Sequence, residues 1–441
     1  MSLTNKQLTL KSFLVFTFPT MIMMIFLSLY TIIDGVFVSR VVGQNALSAI
    51  NIFLPLWVAL NGIAVMFATG GSAIVAKNFG EGKPEQAKQH FSLIVAVTLA
   101  IGLFLMLLQL LFLPKLLRLL GATDNIYEHA YAYGTILTIF MPTTMLKSLF
   151  DYFMVTANQP KRGLFYTVIG GVTNIILDYL FIVVFKIGIA GAALATAIGL
   201  LVPAILGFIY FMNQTNYLHF TKPKLEWSII LKSMGNGSSE MVTNLSSSVT
   251  TLLFNLAMLH YLGEKGVAAI TIVLYAQFFL MSAYLGFSSG AAPLISFNYG
   301  ENNHENLRKL IRYSYRILMV ASVATFALAL ILASPLIKLF TGGKNELYHL
   351  TLIGFNLFAI SFLPVGLNIF TSAMFTAFSN GKISAFISIL RTLILVLVGI
   401  ILLPTFLGVY GVWLTIPFSE AVTLIFSLLL MKRYGNYYHY A

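Results

Sequence analysis

The chain has 441 residues, of which 59% are apolar, 14% aromatic and only 9% charged. A water-soluble domain carries roughly 25% charged residues, so a soluble enzyme, a nucleic-acid-binding protein and a disordered chain are all excluded. The net charge of +12 falls largely in short segments between apolar runs, and the absence of cysteine removes disulfides, thiol catalysis and Cys-ligated metals.

The composition predicts a polytopic helical membrane protein. A spanning helix needs about 20 apolar residues, and twelve segments qualify in chain order: 13–38, 50–76, 89–113, 128–156, 163–185, 190–212, 228–260, 266–296, 314–333, 347–378, 384–404 and 408–431. The apolar run Phe13 to Ile33 is too long for a signal-peptide core and no small-residue cleavage site follows it, so the first segment is expected to be a retained span. Ten-residue alternation is absent, which argues against a β-barrel. With twelve spans, 16 Lys and Arg fall on the side of the termini and 7 on the other, so both termini are expected in the cytoplasm. The seven histidines are scattered without metal-ligand spacing, and no cofactor or enzymatic activity is expected.

The halves repeat at an offset near 220. Asn78-Phe79-Gly80-Glu81-Gly82 matches Asn298-Tyr299-Gly300-Glu301-Asn302, and Gly188-Ile189-Ala190-Gly191 matches Gly408-Val409-Tyr410-Gly411. Gly43 matches Gly263, Asn158-Gln159-Pro160-Lys161 matches Ser379-Asn380-Gly381-Lys382, and Pro142 matches Pro364. An even number of helices per repeat makes the repeats parallel, related by an axis along the membrane normal. The fold expected is all-α, with twelve transmembrane helices in two pseudo-symmetric six-helix lobes. Residues 1–212 form the amino-terminal lobe, 213–227 a cytoplasmic linker and 228–441 the carboxyl-terminal lobe.

A carboxylate at bilayer depth costs roughly 2.5–3.5 kcal/mol, and five acids fall inside predicted helices: Asp34, Asp151, Asp178, Glu240 and Glu420. Asn174 and Asp178 share one face of helix 5. This pair can ligate a cation or pass a proton, with Thr196 of helix 6 closing the cluster. The alternative for Asp34 and Asp178 is a hydrogen-bonded structural acid. Glu240 lies in helix 7 among Gly, Ser and Asn residues, as if lining a wet cavity suited to cations, or as an interfacial helix-end acid. Lys147 and Asp151 read as an intrahelical pair, and Glu420 as a partner for Arg391. Helix 8 offers an apolar and aromatic wall with Tyr275, Gln277, Phe278 and Met281, a stripe that ordinary packing also explains. Pro19 interrupts helix 1 and permits a bend, static or functional.

These residues resemble the multidrug and toxic compound extrusion (MATE) family over the whole chain. The matches are Asp34 in helix 1, Tyr133 with Pro142 in helix 4, Asn174 and Asp178 as NxxxD in helix 5, Thr196 in helix 6, and the paired signatures at 78–82 and 298–302. The resemblance implies that Asp34, Asn174, Asp178 and Thr196, with Tyr133, form an amino-lobe site for H⁺ or, in a sodium-coupled member, Na⁺. It assigns bending to Pro19. Glu240 corresponds to a helix-7 acid of members that use carboxyl-lobe acids, but no acid lies between Thr351 and Phe378 in helix 10, which departs from them. The chain looks closest to the Gram-positive branch.

The expected function is a multidrug efflux antiporter of a bacterial plasma membrane, working as a monomer. It would export cationic amphipathic drugs or dyes in exchange for H⁺ or Na⁺, with the lipid bilayer as its setting and no nucleic-acid partner. No GK[ST] phosphate loop is present, so direct ATP hydrolysis is excluded. The rivals are a lipid-linked saccharide flippase of the same superfamily, which would want a basic cavity, and a channel or receptor.

Overall fold

The computed structural model of the protein describes residues 8–343 and 345–440, and among these there is no strand. The first helix, α1 (Leu10–Val41), opens on a capping box: Ser12 N donates to Thr9 Oγ1 at 3.2 Å and Thr9 N to Ser12 Oγ at 3.1 Å. It is followed by α2 (Gln44–Gly80), α3 (Pro84–Leu119), α4 (124–156, stepped at Phe140), α5 (Pro160–Val184) and α6 (Ile189–Met212). The second half holds α7 (227–262), α8 (264–300), α9 (His304–Thr341), α10 (Glu346–Ala377), α11 (Gly381–Leu407) and α12 (Val409–Tyr434).

Ten described helices are continuous enough and apolar enough to cross a membrane by length and composition. One of them is 74 residues long and leaves helical geometry at Gly263, where φ is 63°, so it makes two passes. The two 16-residue pieces of α4 meet at Phe140 and Pro142 and make one more. The total is the expected twelve. Several helices outrun their apolar cores; α3 begins at Pro84 rather than near 89, because proline is well accommodated in a first turn.

The repeat is written into the backbone. Left-handed residues recur at the same connections in both halves: Gly43 with Gly263, Gly82 with Asn302, Gly121 with Gly342, Asn158 with Ser379, and Gly188 with Gly408. It also runs past the last helix of each half. Asn216-Tyr217-Leu218-His219-Phe220 follows α6, and Asn436-Tyr437-Tyr438-His439-Tyr440 follows α12. Each segment is an aromatic clasp on its own lobe. Tyr217 stacks on Phe79 at 4.3 Å and Phe220 on Phe91 at 5.1 Å; Tyr438 stacks on Phe378 at 4.3 Å and accepts a 2.9 Å bond from Asn380. The stretch 213–227, expected as a linker, therefore begins as packed structure.

The two lobes meet through glycine. A Cβ on Gly237 of α7 would lie 1.9 Å from the Met66 carbonyl oxygen of α2, and one on Gly70 would lie 2.0 Å from that of Ser233. The repeat-related Gly80 and Gly300 touch reciprocally, their added Cβ atoms falling 2.0 Å from Phe297 O and 2.2 Å from Lys77 O. Small residues let membrane helices approach backbone to backbone. All these contacts sit toward the end carrying the clasps. Further along, Ser28 and Ser282 join α1 to α8 at 3.3 Å. Beyond them, an added Cβ at Gly35, Gly43 or Gly263 meets nothing within 4 Å. Backbone contact between the lobes is thus concentrated toward the clasp end.

Candidate ion and substrate sites

Glycine also builds the amino-lobe site. On α5, Gly170, Asn174 and Asp178 stand one turn apart on one face. A Cβ on Gly170 would lie 2.4 Å from Gly199 O of α6, and one on Gly171 would lie 2.4 Å from the Phe26 ring of α1. Helices α1, α5 and α6 thus converge where the acids lie. Asp178 and Asn174 are buried, and the Asp34 carboxyl meets that of Asp178 within hydrogen-bonding range. The Tyr133 hydroxyl lies beside Thr196 and within electrostatic reach of both acids. The five expected residues are brought together.

The chemistry of the cluster is that of a small cation or a proton. Asp34 Oδ1, Asp178 Oδ1 and both amide atoms of Asn174 are buried without a hydrogen-bond partner. Two carboxylates in contact cannot both stay ionised without a compensating positive charge. Immediately after Asp178 the helix widens into a π-turn, Tyr179–Val184, a distortion often found at functional sites. Tyr30 belongs to the same cluster, within electrostatic reach of Asp34 and Asp178. Sequence reading missed it, although its position one turn before Asp34 placed it on the same face.

Asp34, Tyr133 and Thr196 line a cavity of about 370 Å³. Lys147 and Asp151 line it too, paired at 2.6 Å as the i,i+4 reading expected. A second cavity, of about 220 Å³, lies between the lobes and holds Glu240 with Asn244, Tyr152 and Thr376. The cavities share Met24, Val65 and Tyr152 in their walls. The helix-8 residues are placed differently from the expectation. Tyr275 lines the amino-lobe cavity rather than the wall around Glu240. Gln277, Phe278 and Met281 are not among that wall's described residues; α8 contributes Leu285, Ser288, Ser289, Ala292 and Pro293 instead. A helix rises about 1.5 Å per residue, so the aromatic stretch sits a turn or more above Glu240, and Met281 packs on the carboxyl-lobe core. Pro19 is buried within an unbroken α1, next to Thr20, whose Oγ1 would lie 2.3 Å from a Cβ on Gly290 of α8. The Arg391–Glu420 pair is present, at 3.6 Å and fully enclosed.

This geometry has close counterparts. The family model MatE matches twice, at residues 19–180 and 240–401, once in each lobe. The chain belongs to the MatE family. The multidrug export protein MepA of Staphylococcus aureus (strain bovine RF122 / ET3-1) is 23% identical over 434 residues, covering 97% of this chain and 94% of the relative. A crystal structure of a MATE protein in complex with MaL6 superposes with a TM-score of 0.93 at 23% identity, covering 98% of this chain and 97% of the other. The outward-facing conformation of a multidrug resistance MATE transporter of the MOP superfamily superposes with a TM-score of 0.92, also at 23% identity and with the same coverage. The likeness extends over both lobes of this MatE protein, so its two-lobe, twelve-helix fold is that of the family.

Proposed function

We propose that this MatE protein is a multidrug efflux antiporter of a bacterial plasma membrane, exporting cationic amphipathic compounds in exchange for H⁺ or Na⁺ by alternating access. The observation that carries the reading is the pair of facing carboxyls, Asp34 and Asp178, each with an unpartnered buried oxygen, Asp34 lining a cavity whose wall shares residues with the one around Glu240. An external H⁺ or Na⁺ would settle between the carboxyls, with Asn174 and Thr196 as neutral oxygen ligands in the sodium case. The ion would then favour the state in which these ligands converge, and a ligand moves an equilibrium only by its differential affinity for the two states. A drug cation arriving at Glu240 competes for the alternative state, and the shared wall at Met24, Val65 and Tyr152 gives the two sites a mechanical connection.

The basic excess on the clasp side supports a cytoplasmic location for that end and for both termini. A single chain contains the whole cleft, which suits a monomeric transporter. A flippase for a pyrophosphate-linked lipid would want unpaired cations in the cavity. The intramembrane Lys147 and Arg391 each stand beside a carboxylate, which favours cationic cargo. The test is dye efflux from vesicles in which a pH gradient and a sodium gradient are imposed separately. Efflux driven by one of the two supports antiport, and dye movement independent of both overturns it.

A further inference from the structure

The end of the molecule that carries the clasps holds more basic charge than its carboxylates match. A cavity of about 520 Å³ lies there on the seam between the lobes. Its wall takes Lys77 and Glu81 from the end of α2, Lys232 and Asn236 from α7, and Gly381 and Lys382 from the start of α11. Three lysines thus share a wall with one carboxylate, and that carboxylate is engaged elsewhere. Glu81 Oε2 lies 2.8 Å from Nζ of Lys83, which is not in this wall, while its Oε1 is 3.8 Å from Lys77 Nζ. Lys232 and Lys382 have no ion-pair partner among the described residues.

The backbone is built around the same space. A Cβ on Gly381 would lie 2.1 Å from Gly235 O and 2.5 Å from Asn236 Cα, so only glycine lets the start of α11 press onto α7. The first intrahelical bond of α11 runs from Ser384 N to Asn380 O at 3.2 Å, and Asn380 Oδ1 accepts from Ile383 N at 3.3 Å. The amides of Gly381 and Lys382 precede both bonds and have no helical acceptor, and such an end favours an anion. Asn236 is buried and lines the cavity. Its Nδ2 is committed to Thr376 O at 2.9 Å, and its Oδ1 has no hydrogen-bond partner. A buried acceptor left unmet is costly, so whatever fills the cavity should bring a donor as well as negative charge.

The tandem repeat separates this cluster from the general basic excess of its side. Lys11-Ser12 aligns with Lys232-Ser233 and Lys161 with Lys382, but the counterpart of Lys77 is Phe297. The equivalent seam therefore keeps two of the lysines and replaces the third by a ring.

We propose that this interlobe cavity binds a phosphate group that carries a hydroxyl donor beside it, the chemistry shared by a phosphoglycerol lipid headgroup and a soluble phosphate monoester. The phosphate would sit among Lys77, Lys232, Lys382 and the first amides of α11, with the donor at Asn236 Oδ1. The site lies outside both the Asp34–Asp178 cluster and the Glu240 cavity, and it does not depend on the efflux reading.

Two measurements on the full-length protein distinguish the sources. Native mass spectrometry from micelles with equal phosphatidylglycerol and phosphatidylcholine reads the lipid arm. Titration with sn-glycerol 3-phosphate in phosphatidylcholine nanodiscs reads the soluble arm. The site variant is Lys77→Gln with Lys232→Gln and Lys382→Gln; the control, Lys11→Gln with Lys161→Gln and Lys222→Gln, removes the same charge from the same side. Wild type should retain phosphatidylglycerol over phosphatidylcholine, or bind the monoester. Each lysine removed from the site should weaken that binding about fivefold, and all three about 100-fold, while the control stays within about twofold. Lys382→Glu, at an exposed position, serves if the triple variant does not fold, and should lose more than the fivefold of a neutral change. A wild-type protein with neither preference nor binding overturns the proposal. So do equal losses in site and control variants, which mark attraction to a basic face, and unchanged binding in Lys382→Glu.

Discussion

Gly237→Ala tests whether the glycine contact between α7 and α2 is what shuts the cleft at the clasp end. The added methyl would lie 1.9 Å from Met66 O, 2.7 Å from Met66 C and 2.9 Å from Gly70 N, whereas real Cβ atoms do not come within 3.0 Å of such neighbours. All three are backbone atoms, so no rotamer change relieves the clash and the helices must part by about 1 Å. Overpacking of this kind costs about 1–3 kcal/mol. A state opened at this end would separate α7 from α2 here, so the cost would fall on the closed state. At 1.4 kcal/mol per factor of ten, the closed population falls by about 5- to 150-fold relative to a state opened there. The natural absence of cysteine allows Lys83→Cys and Asn302→Cys to be labelled on the facing loops without further changes. Electron–electron distance measurements should show one short distance in the parent and a shift to longer distances in Gly237→Ala. The neighbouring Gly235→Ala, whose Cβ would meet nothing within 4 Å, should be silent. Identical distributions for Gly237→Ala and its parent would refute the assignment of this contact as the gate.

Asp34→Asn and Asp178→Asn should each abolish gradient-driven dye efflux while leaving membrane expression intact; wild-type efflux by either variant would remove the coupling site. Glu240→Gln should weaken binding of cationic drugs more than that of neutral compounds, and equal losses in a binding series would assign Glu240 a structural role. For the carboxyl-lobe clasp, Tyr438→Ala removes a buried ring stacked on Phe378 and should lower stability by about 3 kcal/mol. Tyr438→Phe, which loses only the bond from Asn380, should cost about 1 kcal/mol. Thermal inactivation followed by size-exclusion chromatography checks that order, and equal melting for both variants counts against a packed clasp.

Twelve passes, the tandem repeat and the polar residues worth watching were legible in the sequence, because each is a local cost or a local periodicity. A run of about 20 apolar residues declares a span by itself, and a carboxylate within it is conspicuous because the bilayer makes it expensive. The connections were legible for the same reason, since Gly43, Gly263, Gly188 and Gly408 occupy positive-φ turns that favour glycine. Facing was not legible. Transmembrane helices are apolar on nearly every side, so hydrophobic periodicity does not say which side meets which neighbour. That choice fell to glycines whose partners lie far away in the chain, Gly171 against Phe26 and Gly237 against Met66. These contacts brought Asp178 to Asp34, gave Tyr275 to the amino-lobe cavity and set Glu240 among Asn244, Ser288, Ser289 and Tyr152 rather than beside the α8 aromatic stretch. They also enclosed Arg391 with Glu420. The sequence by itself determined which residues are costly in the membrane; only the tertiary structure decided which of them share a pocket, because close approach of backbones depends on pairs of small residues that no single segment contains.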